Sequence, residues 1–290
     1  MKVVGQGGPG WLRAGAPAGP AASQRAFTMV EMALSLAIIG FALVAIVGVL
    51  PIGLQTQQEN REETVVLQDA QVWLAALRAG ARGYDDLTNW VESIEVHWAD
   101  WTMDGRLLGQ GRDLYTRTNS DIISIAPAPH LPLTNGAIIV GVMGTPKYIH
   151  VPDVFRPAGF RSNYVVAYVR AFSGPAVEKP PQSDPAVQDL AFRYRLVSEV
   201  VPYREWDTNW IAFDAQGLAP AEATQRSNYW WVARNLYANV HEVRLLFRWP
   251  VRPNGTTGNG RMVLRGTVSG VRTNQGPLHF YQPGLFARYP

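Results

Sequence analysis

Between Met32 and Leu50 the chain carries no charged residue. As a helix that run spans about 28 Å at ~1.5 Å per residue, close to the roughly 30 Å hydrocarbon core of a bilayer. Ser35 is its one polar member, and Gly40 and Gly48 allow close helix contact in lipid. Arg13 and Arg25 precede the run. Arg61 is the first cation after it, flanked by Glu59, Glu62 and Glu63. That asymmetry places the N-terminus in the cytoplasm and the bulk of the chain outside it. A single acid, Glu31, stands at the head of the run. An ionised carboxylate in a membrane segment costs of order 2.5–3.5 kcal/mol on insertion scales, so such a residue calls for a partner.

The flanking segments differ in kind. Met1 to Ala26 is rich in Gly, Ala and Pro, carries Lys2, Arg13 and Arg25, and has no acid. It reads as a targeting segment rather than as structure. A secretory signal places its apolar stretch before the cleavage site, whereas here the stretch follows the best small-residue site, Ala26. Cleavage there keeps the apolar helix in the mature protein. Downstream, Pro51 and Gly53 are expected to kink the helix. Leu54 to Arg78 then regains helical periodicity through Val65, Val66, Asp69, Val72, Trp73, Ala76 and Leu77. Gly80 and Gly83 should end it. The expectation is one long, bent N-terminal helix of about 50 residues, against a mean of about 11–12, with a lipid-soluble first half and a packed second half.

From about residue 90 the texture becomes β. In Val91 to Trp98 the set Glu92, Ile94, Val96 and Trp98 is mainly apolar and alternates with a polar set. Further strands are expected over Asp121–Ala126, Ala137–Met143, Tyr164–Phe172, Leu190–Val201, Ala238–Trp249 and Arg261–Val271, separated by Gly-, Pro- and Asn-rich turns. His241, Val243, Leu245 and Phe247 form the core face of one strand, and in the next Met262, Leu264, Gly266 and Val268 oppose Val263, Arg265, Thr267 and Ser269. Arg252 to Gly260 joins the two as a long hairpin loop. One buried and one wet face mark an antiparallel sheet, and the amphipathic half of the helix is its natural cover. The fold class is therefore α+β: a long bent N-terminal helix packed on an antiparallel sheet, with insertions.

Composition limits the chemistry. There is no cysteine, which excludes disulfides, zinc thiolates and cysteine nucleophiles. Net charge is +3 with no basic block interleaved with aromatics, so no nucleic-acid partner is indicated. Gly5-Gln6-Gly7-Gly8-Pro9-Gly10 matches the letters of a dinucleotide loop but follows no strand and opens no helix. Pro146 breaks any P-loop in Gly141–Lys147. The five histidines, His97, His130, His150, His241 and His279, lack ligand spacing. Asp85-Asp86 reads as a turn or cap pair. Asp207, Asn209 and Asp214 share one loop and supply oxygens of the calcium-binding type without the spacing of an EF-hand. Trp206, Trp210, Tyr229, Trp230 and Trp231 fit the sheet interior or an inter-subunit seam, with a ligand surface as the other reading. No catalytic residue, metal or cofactor is expected, and the chain does not read as an enzyme.

Ala26-Phe27-Thr28-Met29-Val30-Glu31 followed by the apolar helix resembles the prepilin-type cleavage and methylation site of type IV pilins and pseudopilins. The resemblance covers about thirty residues strongly and reaches residue 80 through the long helix. It implies cleavage by a prepilin peptidase between Ala26 and Phe27 and N-methylation of Phe27. Glu31 would pair with the N-terminal amine of a neighbouring subunit during assembly. That family more often has Gly where Ala26 stands, and usually a shorter leader. The Leu50–Leu54 segment and the stretch from Phe247 to Arg261 resemble the Verru_Chthon cassette pilin-like proteins. The implied organisation is a leader over 1–26, an assembly helix over 27–53, its amphipathic continuation over 54–83 and an exported head over 84–290. The implied function is that of a pilin-like, minor structural subunit of a type IV pilus or secretion pseudopilus. Its implied partners are prepilin peptidase, other pilin-like subunits, the assembly machinery and the inner membrane. The alternative is a single-pass anchored protein with an exported β-rich sensor or ligand-binding domain.

Overall fold

A computed structural model describes residues 27–80, 83–117, 132–151, 159–173, 191–203 and 219–287. The chain divides into two compact units, residues 1–56 and 57–290. Helix α1 (Met29–Ala79) contributes to both. It continues through Pro51, whose ring cannot donate to the carbonyl four residues back, and through Gly53. Gly80 ends it at φ +66, where the left-handed backbone suits glycine. A Cβ at Gly80 would lie 2.8 Å from the Tyr281 carbonyl oxygen, so the terminus also seats closely on the head.

In the first unit the apolar side chains of α1 are exposed among the described residues. Phe41 is 79% exposed and Val44 74%. The segment is long and apolar enough to cross a membrane.

The second unit is an α+β domain. Its strands are β1 (Val91–Thr102), β2 (Leu107–Thr116), β3 (Tyr148–Val151), β4 (Gly159–Arg170), β5 (Arg193–Pro202), β6 (Val240–Val251) and β7 (Thr257–Ser269). They form a seven-stranded sheet in the order β2-β1-β4-β5-β6-β7, with β3 pairing an end of β4, and all these pairs are antiparallel. A separate ribbon pairs β8 (Val271–Gln275) with β9 (Leu278–Gln282). Two further helices, α2 (Gly136–Met143) and α3 (Pro220–Asn239), complete the described elements, with a 3-10 turn over Asp85–Asn89.

The core is built from the inner face of the sheet, the second half of α1, and α2. Val66, Ala70, Trp73, Leu74, Ala76 and Leu77 of α1 pack in one cluster with Ile94, Ala167, Leu196, Leu245 and Phe247. The alternation read in β6 holds: His241, Val243, Leu245 and Phe247 are buried. In β7, Met262 and Leu264 pack against the core and Val268 is buried. A Cβ at Gly266 would meet Leu74 at 2.6 Å, so the helix lies close over β7 there. In β1 an irregularity between Val91 and Ser93 separates Glu92 from the inward set. Glu92 instead reaches Arg170 at 3.5 Å and Arg193 at 3.7 Å.

Three expectations need correction. Ala137–Met143 is helical, not a strand, because Asn135 caps the segment: its side chain accepts from the Ile138 N–H at 2.9 Å. The loop between β6 and β7 is shorter than expected, since β7 already starts at Thr257 and the turn is Arg252–Thr256. The aromatic run around Trp230 lies on α3, not in the sheet interior. The expected strand over 121–126 lies outside the described residues.

Candidate functional site

Phe27 and Thr28 precede the first turn of α1, and Phe27 is 80% exposed. Ala26 lies outside the described residues. Thr28 is the N-cap and Glu31 the third helical residue, the spacing of a capping box. Both halves of the box are made. The Thr28 N–H and hydroxyl each donate to Glu31 Oε2 at 3.0 Å, and the Glu31 N–H donates to Thr28 Oγ1 at 3.2 Å. Ser35 Oγ closes the next turn by donating to the Glu31 carbonyl at 2.7 Å. The carboxylate thus has an intrachain partner in Thr28. Its position at the positive end of the helix dipole is favourable in itself. Both bonds to the carboxylate fall on Oε2, and among the described residues Oε1 has no donor.

Beyond the box, a Cβ built at Gly40, Gly48 or Gly53 meets nothing within 4 Å. Those positions therefore present bare backbone on an uncovered apolar helix, where another helix can approach closely. Pro51 and Gly53 fall at the C-terminal end of that exposed stretch.

In the second unit, the carboxylate most perturbed among the described residues is Asp69, fully buried on α1. Its Oδ2 accepts from the Phe172 N–H at 3.1 Å, while Oδ1 has no hydrogen-bond partner among the described residues. Burial pushes the carboxyl up to about 6, against the lowering pull of the Ser173 and Tyr194 hydroxyls and the Phe172 and Ser173 backbone. Tyr194, itself raised by burial and by Asp69, accepts from Trp73 Nε1 at 3.0 Å. Trp73, Asp69 and Tyr194 thus tie α1 to the sheet through polar contacts sunk in an apolar core.

The remaining candidates disperse. Asp85 and Asp86 lie in the 3-10 turn, and Asp85 Oδ1 accepts from the Gly136 N–H at the start of α2 at 3.0 Å. His97 meets Glu95 at 3.1 Å on the sheet surface, and His150 is exposed. His241 and His279 are buried and pushed down to about 4 by desolvation and then by Arg272. His130, Asp207, Asn209, Asp214, Trp206 and Trp210 lie outside the described residues. Among the described residues, no three His, Asp or Glu side chains are grouped to hold a metal ion.

Two features escaped the sequence reading. Thr28 belongs to the motif that resembles the processing signal, and Thr-x-x-Glu before an apolar run is also a capping-box signature. Helix α3 was hidden by its aromatics, although Pro220 at its first turn and the following Ala-Glu-Ala-Thr-Gln-Arg are helix signals. The chain matches no protein-family model, no curated protein and no solved structure.

Proposed function

We propose that the chain is a pilin-like structural subunit, held in the inner membrane by residues 27–53 with its head exported. A prepilin peptidase removes residues 1–26, Phe27 is methylated, and subunits assemble into a type IV pilus or pseudopilus. The observation that carries this reading is the division of labour along one helix. Its first part is apolar and uncovered, whereas its second part supplies Trp73, Leu74 and Leu77 to the head core. An anchor that is also a core element suits a subunit that leaves lipid and stacks by its helix. A dispensable tether needs no such sharing.

The Thr28–Glu31 box refines the role of Glu31. Oε2 stays with the helix cap, and Oε1 receives the new N-terminal amine of a neighbour. Pairing relieves the desolvation of both charges and sets the axial register between subunits. Glu31→Ala should leave membrane insertion intact and abolish incorporation into filaments, read by fractionation of sheared filaments against membranes. Normal incorporation of the variant would remove the pairing role.

A further inference from the structure

The outer face of the sheet carries a row of like charges. Arg195 on β5 is the register partner of Arg248 on β6, and Arg248 is the partner of Arg261 on β7. Like charges directly opposite each other destabilise a sheet. No acid occupies a direct or diagonal ladder position around the three: those places hold Val197, Tyr168, Leu246 and Val263 among others. Arg248 and Arg261 are exposed and have no ion-pair partner among the described residues. Arg195 donates Nη2 to the Tyr164 hydroxyl at 3.3 Å, and its Nε has no hydrogen-bond partner among the described residues. One rung set further on, the same face is balanced: Lys147 pairs with Glu199 at 3.0 Å and Arg244 with Glu242 at 2.8 Å. A charge on the outermost strand protects a sheet edge from pairing. That explains Arg261, but not Arg248 and Arg195 on interior strands.

We infer that the Arg195–Arg248–Arg261 row is an inter-subunit docking strip that receives the Glu59–Glu63 segment of α1 from a second copy of this chain. Adjacent strands lie about 4.8 Å apart, so the three arginines step across the sheet at that interval. Residues three and four apart on a helix have Cβ atoms about 5–6 Å apart. Glu59 and Glu63, one turn apart on the exposed side of α1, therefore place two carboxylates at a similar interval, with Glu62 beside them. Glu59 and Glu63 are exposed, and Glu62 is half-buried with Oε1 accepting from Gln58 Nε2 at 2.9 Å. Guanidinium–carboxylate pairs are bidentate and directional, so the match sets both attraction and register. Half-buried Leu246 and exposed Val263 lie beside the row as an apolar strip for the helix to rest on.

The inference rests on the assembly reading above, and the test separates the two. The natural chain lacks cysteine, so full-length E63C and R248C chains bearing different tags can be co-expressed in membranes and oxidised. The expected product is a mixed-tag disulfide dimer. Adding R195E and R261E to the R248C chain should lower its yield about tenfold, and adding E59R and E62R to the E63C chain should restore it. The unreversed pair carries the test even if the reversals impair folding. Wild-type copies that co-purify while the E63C–R248C pair gives no mixed dimer overturn the docking strip and leave assembly standing. Wild-type copies that never associate overturn both. If the reversals abolish binding to vesicles of anionic lipid and leave the mixed dimer unchanged, the row serves a membrane and the inference fails.

Discussion

Asp69 illustrates how one residue can set a condition on the whole head. An ordinary aspartate sits near 3.8, and burial raises this one to about 6. The folded state therefore holds a proton that the unfolded chain has released between those values. Stability from this group is fully present below pH 4 and is lost as pH rises through about 6, by about 3 kcal/mol in all. His241 and His279 act oppositely: each is pushed down to about 4 from 6.5, so their contribution is lost as pH falls through 4. The comparison must therefore be between variant and wild type. Asp69→Asn keeps an acceptor for the Phe172 N–H and removes the titration. Its stability relative to wild type should rise by about 3 kcal/mol between pH 4 and pH 7, measured by denaturant unfolding in detergent. A difference that stays flat across that range would show that Asp69 ionises without cost. At this scale the sequence marks Asp69 only as a polar member of an apolar stripe. Its burial depends on Tyr194 and Phe172, more than 100 positions away, which no local pattern reveals.

At the scale of elements, legibility followed the strength of the period. The long helix and strands β4 to β7 were readable because alternation or 3.6-residue spacing persists for ten residues or more. Helix α2 was not: Gly136–Met143 is apolar on every side and rich in β-branched residues, so a buried strand and a buried helix read alike. What decides is tertiary. Gly136 and Gly144 let α2 sit against backbone, where added Cβ atoms would approach the Tyr84 oxygen at 2.2 Å and the His279 oxygen at 2.5 Å. Gly136→Ala should therefore cost about 1–3 kcal/mol, since the backbone it meets cannot turn aside. Gly109→Ala on β2, where a Cβ meets nothing within 4 Å, should stay within about 0.5 kcal/mol. Thermal unfolding of the two variants side by side checks this, and equal effects would mean that α2 is not held by close backbone contact. Helix α3 shows the other failure, an aromatic run whose strand propensity masked good helix-forming neighbours.

At the scale of the whole molecule, an α+β head and an uncovered apolar helix are joined through α1. The apolar run alone allowed a plain anchor. A capping box fixes the start of α1 and buried core residues fix its end. In the proposed function, cleavage, methylation of Phe27 and pairing through Glu31 form one chain of consequences, and all of it depends on the bond between Ala26 and Phe27. Intact-mass analysis with N-terminal sequencing of the protein purified from membranes tests that bond directly. The mature chain should begin at Phe27 and weigh one methyl group more than residues 27–290. A protein that retains residues 1–26 with an unmodified Phe27 would contradict the proposal and leave the helix as a simple anchor.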